Sequence, residues 1–299
     1  MKSKILRGTA LDGQIRIFIA DTTNLVEKAK EIHETSPVAT AALGRVLTAT
    51  SILGVMLKGE RDKITTRIHG QGPIGTIIAT SNASGNVKGY VTNPQVIVAS
   101  SIPGKLNVGE AVGKNGEITV IKDLGLKNPY IGNYPLVSGE IGEDLAAYFM
   151  HSEQQPSAVG LGVTIDTDYT IKSAGGFILQ ILPDTDENVA FILEERIKEA
   201  GSISKLIENS RNGKEIMDQL LEGLNPKVLE EYEVDYICDC NRNRFEKALI
   251  SLGKQEIRSL IEDDHGAELQ CHFCNKKYHF GEEDLESLMA EAFNTHIKA

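Results

Sequence analysis

The 299-residue chain has no tryptophan, and aromatic residues make up only 5% of it. Stacking platforms for single-stranded nucleic acid are therefore scarce. Positive charge is short as well: 31 Lys and Arg stand against 42 Asp and Glu, a net charge of −11. A surface of that sign repels phosphate, so nucleic acids and anionic membranes are poor default partners. Long apolar runs are missing. Met1-Lys2-Ser3-Lys4-Ile5-Leu6-Arg7-Gly8 lacks the apolar core of a signal peptide. The most apolar stretch, Ser36 to Lys58, contains Arg45 and several Ser and Thr residues, and reads as a buried helix rather than a membrane span. A cytoplasmic protein is expected. Cysteine is absent until Cys238, and all four lie in the last 62 residues. In a reducing compartment such a set favours metal binding or redox chemistry over a disulfide framework.

What is present fits a soluble globular protein, with 41% apolar and 24% charged residues and a length suited to two domains. Ile5 to Ala20 reads as a hairpin about Asp12-Gly13, a pair suited to a primed turn. Asn24–Glu34 has helical character. Ser36 and Pro37 then make a helix start, with a capping hydroxyl and a residue that has no N–H to lose. From Lys63 to Lys122 the pattern is β: Ile64–His69, Thr76–Ser81, Asn86–Thr92 and Glu117–Lys122 are expected strands. A helix over Glu143–Ser152 and strands at Ala158–Ile165 and Thr170–Leu182 follow. The fold class is α+β, sheet-rich in its first part with a core helix. After Pro183 the texture changes. Asp184 to Glu231 shows almost no β signal and reads as three or four short amphipathic helices interrupted by Gly201, Gly213 and Gly223. Such helices depend on packing against a neighbour. They are either a static subdomain or a linker whose apolar stripe conditionally covers the sheet.

The strongest chemical signal is Cys238-Asp239-Cys240, then 30 residues, then Cys271-His272-Phe273-Cys274. Two close-spaced pairs joined by a loop that folds back suit a tetrahedral four-thiolate site for zinc, which is borderline-soft and redox-inert. The segment Glu233 to Ala299 is only 67 residues long, a size at which a metal commonly supplements a small core. Two roles are open to the site. It is a structural staple, or it is a redox switch in which each local pair forms a disulfide and ejects the metal. His272 and His279 sit near the second pair, but four Cys already fill the coordination of zinc. His265 lies beside Glu262-Asp263-Asp264 and is expected to be solvated.

Other motifs carry less. Gly70-Gln71-Gly72-Pro73-Ile74-Gly75 matches G-x-G-x-x-G, but the residues that follow, Thr76 to Thr80, read as strand where a dinucleotide site needs a helix. A tight turn between strands is the better account. Glu143-Asp144 has no identifiable partner for acid–base work, and Ser138-Gly139-Glu140 lacks the nucleophile-elbow pattern. No catalytic constellation is recognisable in the first 230 residues, and the chain is expected not to be an enzyme.

Taken together, several stretches resemble the heat shock protein 33 family of bacterial redox-regulated holdase chaperones over nearly the whole chain. Cys238, Cys240, Cys271 and Cys274 meet its Cys-x-Cys and Cys-x-x-Cys zinc signature. Further matching stretches are Ala42-Leu43-Gly44-Arg45, Gly72-Pro73-Ile74-Gly75, Tyr90-Val91-Thr92-Asn93-Pro94-Gln95-Val96 and Val137-Ser138-Gly139-Glu140. So are Ser152-Glu153-Gln154-Gln155-Pro156-Ser157 and Ala174-Gly175-Gly176-Phe177. The resemblance implies an ATP-independent chaperone built from an N-terminal α+β core domain (1–183), a helical linker (184–232) and a small C-terminal zinc-binding redox-switch domain (233–299). It implies that the reduced chain holds one Zn²⁺ on the four Cys and is inactive. It further implies that oxidation forms two disulfides, releases zinc, loosens the linker and exposes apolar surface to unfolding client proteins. The pairs expected are Cys238–Cys240 and Cys271–Cys274, because local closure costs the least chain entropy once zinc leaves. The active form is expected to be a homodimer.

Two other classes are set against this. A nucleic-acid-binding zinc module is disfavoured because Glu233–Ala299 carries 14 acidic and 8 basic residues, a net of −6. A thiol–disulfide oxidoreductase is permitted by Cys-x-x-Cys, but no βαβ pattern surrounds the pair.

Overall fold

Strands β1 (Ser3–Ala10) and β2 (Ile15–Asp21) form the first hairpin, with Ile5 opposite Ala20. In this computed structural model, residues 2–100, 104–183, 185–210 and 212–293 are described. The hairpin loop is wider than a two-residue turn: Leu11, Asp12 and Gly13 all have positive φ in a 3-10 turn. The Leu11 N–H donates to the Leu224 carbonyl at 2.9 Å. That tertiary bond draws Leu11 into the loop, where local chemistry alone favours Asp12-Gly13.

Helices α1 (Thr23–His33) and α2 (Pro37–Val55) follow. The Ser36 hydroxyl accepts from the Ala39 N–H at 3.4 Å, as a cap should. Helix α2 is apolar on all sides because it is covered on all sides. It is long and apolar enough to cross a membrane, yet 94% of its most apolar window is buried in the protein. One side packs on β3 (Lys63–His69), β4 (Thr76–Asn82) and β5 (Val87–Val91). The other side meets β8 (Ser157–Ile165) and β9 (Ile171–Ile181). The intervening elements are α3 (Val108–Val112), β6 (Glu117–Asp123), β7 (Tyr130–Pro135) and α4 (Gly142–Ser152). The Gly70–Gly75 loop joins β3 to β4, as a strand-to-strand turn. Neither α3 nor β7 was expected. Helix α3 is a single turn, and β7 contains Gly132, Asn133 and Pro135, which are poor strand formers.

Helices α5 (Glu187–Ala200), α6 (Ile203–Asn209) and α7 (Gly213–Leu220) then lie over the first sheet. Val189, Leu193, Leu206, Ile216 and Met217 pack with Leu6, Ile17, Ile19, Phe177 and Leu179 of the strands. Helix α6 seats directly on β8: a Cβ on Gly162 would lie 2.7 Å from the Ser204 nitrogen. The expected helical character of this segment holds up to Leu220, but its end does not. Lys227–Val234 is a strand, β10, paired antiparallel with β1. The two five-stranded sheets therefore run β10-β1-β2-β9-β8 and β5-β4-β3-β6-β7. Three glutamates in a run of eight hid β10, since strand propensity disfavours Glu. Asp184 and residues 294–299 lie outside the described residues.

The chain divides into two compact units, Met1–Ile237 and Cys238–Ala299. The second contains α8 (Arg242–Leu252), α9 (Lys254–Glu262), the hairpin β11 (Gly266–Gln270) with β12 (Lys277–Gly281), and α10 (Glu282–Phe293). Its described apolar core is Leu249, Ile257, Tyr278, Phe280 and Leu285.

Candidate metal centre

The β11–β12 hairpin is closed by Cys271-His272-Phe273-Cys274-Asn275-Lys276. The Cys271 N–H donates to the Lys276 carbonyl at 3.0 Å, and the Asn275 N–H donates to the Cys271 carbonyl at 2.8 Å. Asn275 takes a positive φ of 57°, which an Asn tolerates better than most residues. This tight knuckle aims two sulfurs the same way. The other pair lies just ahead of α8, whose start is capped by Asn241 accepting from the Arg244 N–H at 3.1 Å. Arg242 ties the two halves together. It donates to the His279 carbonyl at 2.8 Å, pairs with Asp284 at 2.7 Å and lies over the Phe280 ring at 4.2 Å.

All four sulfurs converge within 4.8 Å of one another. Sγ of Cys238 and Cys271 are 3.7 Å apart, and Sγ of Cys240 and Cys274 are 3.4 Å apart. These distances exceed a disulfide bond of about 2.05 Å. They approach the edge of about 3.8 Å that a tetrahedron with metal–sulfur bonds of about 2.3 Å requires. Cys271 is buried and the other three are half-buried. The donor set and its spacing fit zinc.

The sulfurs are not equivalent. Burial pushes the Cys238 and Cys274 thiols above the ordinary range. Burial also acts to raise Cys240, but hydrogen bonds from Tyr278 and the other three thiols outweigh it and bring Cys240 down to about 7. Tyr278 lies with its hydroxyl 3.2 Å from the Cys240 sulfur and is itself pushed up to about 12 by that bond. Phe245 packs against the Tyr278 ring at 4.5 Å. Sequence reasoning passed over Tyr278. The available signal was its place four residues after Cys274, alternating with Phe280 on the inward face of β12.

The histidines stand apart from the sulfur cluster. His279 pairs with Glu268 at 3.2 Å, and no histidine among the described residues joins the four-Cys group. His265 is exposed and pairs with Glu282 at 2.8 Å. Asp144, unassigned in the sequence, is a fully buried loop organiser. Its carboxylate accepts from the N–H groups of Val137, Ser138, Gly139 and Ile141 at 2.7 to 3.2 Å. Arg45 pairs with Glu140 of that loop at 2.6 Å. Two of the matched sequence stretches thus meet in one structural joint.

A family model described as Hsp33 protein matches residues 3–281. The 33 kDa chaperonin of Alkaliphilus metalliredigens is 61% identical over 97% of this chain and 100% of its own length. That of Clostridioides difficile is 50% identical over 97% of this chain and 100% of its own. A crystal structure of the 33 kDa chaperonin of Thermotoga maritima superposes with a TM-score of 0.90 at 37% identity, covering 98% of this chain and 100% of that one. With its α+β fold and its four-cysteine cluster, the chain belongs to the Hsp33 family.

Proposed function

We propose that this chain is an ATP-independent holdase that binds unfolding proteins under oxidative stress, and that it acts by binding rather than by catalysis. The observation that carries the redox control is the convergence of four sulfurs in a unit with only five described core side chains. One Zn²⁺ on Cys238, Cys240, Cys271 and Cys274 would hold the sulfurs as thiolates and tie the knuckle of β11–β12 to the start of α8. Without that tie, the apolar core is too small to keep the unit ordered.

Peroxide is the oxidant in this reading. A thiolate sulfur displaces hydroxide from the peroxide oxygen and becomes a sulfenic acid. A second thiolate then displaces the sulfenic oxygen, which leaves as water. Each pair of thiolates loses two electrons and forms one S–S bond, and one peroxide, taking up two protons from solvent, is reduced to two waters. In the folded unit the short sulfur approaches run between the motifs, Cys238 to Cys271 and Cys240 to Cys274. We nevertheless assign the disulfides as Cys238–Cys240 and Cys271–Cys274, because local loops cost the least entropy once the unit loosens.

The covering helices supply the effect. Residues 184–232 act as the linker between the 1–183 core domain and the 233–299 switch domain. Helices α5–α7 are short, and they depend on packing against the sheet. Their release would uncover Leu6, Ile17, Ile19, Phe177 and Leu179, an apolar surface suited to unfolded clients. We place the protein in the cytoplasm and its active form as a homodimer. The test is suppression of aggregation of a thermally unfolding client, with zinc release followed in the same sample. The reduced protein should be inactive and peroxide should switch it on as zinc leaves. Equal activity before and after peroxide would refute the reading.

A further inference from the structure

The segment Lys227–Ile237 closes an edge of both sheets of the first unit before the chain enters Cys238. Its first part, β10, is the outermost strand beside β1. Its last part bridges β5. The Val87 N–H donates to the Asp235 carbonyl and the Ile237 N–H to the Val87 carbonyl, both at 3.0 Å. The two parts are held differently. Val234 and Tyr236 are buried, and the Tyr236 hydroxyl donates to the Gly89 carbonyl at 2.8 Å. From Lys227 to Glu233 no side chain is buried, and Val228 and Leu229 are exposed.

What β10 has instead is a ladder of charge against β1. Lys2 pairs with Glu233 at 2.6 Å, Lys4 with Glu231 at 2.5 Å and Arg7 with Glu230 at 3.0 Å. Exposed pairs of this kind hold weakly. The strand therefore rests on main-chain hydrogen bonds and screened charge, with few of the apolar contacts that secure β2 or β9.

We propose that β10 is an internal occupant of a strand-addition site on the outer edge of β1, and that the partner of this site is an extended, acidic segment of an unfolding polypeptide. When β10 leaves, the edge of β1 presents unpaired N–H and C=O groups, which template a new strand. Lys2, Lys4 and Arg7 then stand along that edge as unpaired cations. The segment they suit carries acidic residues where β10 carries Glu230, Glu231 and Glu233. The same edge borders the sheet face that α5–α7 cover, so a captured strand would continue onto apolar surface. This inference rests on the holdase reading and supplies the chemistry of the client segment.

The probe is a synthetic peptide with the sequence of residues 227–234, added to the full chain, with strand opening read by hydrogen exchange over 227–237. Two forms are expected to open the strand. One is the peroxide-treated chain. The other is the reduced chain carrying Glu230→Lys, Glu231→Lys and Glu233→Lys, in which β10 meets β1 with like charge. Both should bind the peptide, while the reduced natural chain should not. Replacing the three glutamates of the peptide with lysine should weaken binding by about tenfold or more, as three exposed pairs imply. N-methylation of alternate amides should abolish binding in one phase and spare it in the other, because only one set of N–H groups faces β1. An open strand that fails to bind, or equal loss in both phases, would overturn the site, and so would a strand that opens in neither form. If the peptide binds the triple variant while peroxide-treated protein fails to hold clients, the site stands and the holdase reading falls. If clients are held but the peptide does not bind the open chain, the reverse follows.

Discussion

Up to Ile237 the chain buries a core drawn from two sheets, with α2 between them and α5–α7 over the outer face of one. From Cys238 onward five buried apolar residues among the described ones sit beside four convergent sulfurs. The sheets and α2 of the first unit are held by apolar area, which neither oxidants nor chelators touch. The second is held by atoms whose state depends on metal and redox potential. One chain thus contains a permanent part and a conditional part. The helices α5–α7 and strand β10 are the last elements of the first unit, next in the chain to the first cysteine pair.

The largest break in this comparison comes from the sulfurs. Cys271→Ser, or a strong chelator, should abolish zinc binding and unfold 238–293, since structural zinc sites contribute on the order of 10 kcal/mol. The melting of the first unit should remain. Protein-bound zinc and segment-resolved hydrogen exchange check both halves. The site should also weaken as pH falls. The raised Cys238 and Cys274 thiols carry protons at neutral pH, so binding releases at least two. Affinity should drop by about a hundredfold or more per pH unit below neutrality.

The reciprocal break is Leu47→Ala in the middle of α2, where the side chain is fully buried. It should cost about 2–5 kcal/mol, lowering the unfolding midpoint of the first unit and leaving zinc content at one per chain. A smaller, sharper probe is Gly162→Ala. The added methyl meets the Ser204 backbone and should lift α6 from β8, costing about 1–3 kcal/mol of helix docking. Client binding should then need less peroxide, as aggregation assays across an oxidant titration will read. Smallest of all is Tyr278→Phe, which removes the hydroxyl beside Cys240. Zinc affinity should fall about tenfold by competition with a chromophoric chelator, with no change in fold.

The two units were unequally legible in the sequence. Four cysteines in two tight pairs announce their chemistry by spacing, and the hairpin and α2 announce theirs by periodicity and the Ser36-Pro37 start. Strand β10 was hidden because its glutamates make sense only opposite Lys2, Lys4 and Arg7, more than 220 residues away. Strand β7 was hidden by residues that suit turns. Tyr278 and Asp144 were hidden because each acts on groups brought near by folding: a sulfur on another element, and four N–H groups of a loop. The sequence left open whether 184–231 is a static subdomain or a cover. Helices α5–α7 pack on the sheet and cover it.

The most direct test of that conditional part is hydrogen exchange on the full chain before and after peroxide, with zinc release and client aggregation followed in parallel. The account predicts that protection is lost from about Asp184 to Phe293 as zinc leaves and client binding appears, while Ile64–Leu182 stays protected. Client binding with α5–α7 still protected, or loss of protection throughout both units together, would contradict it.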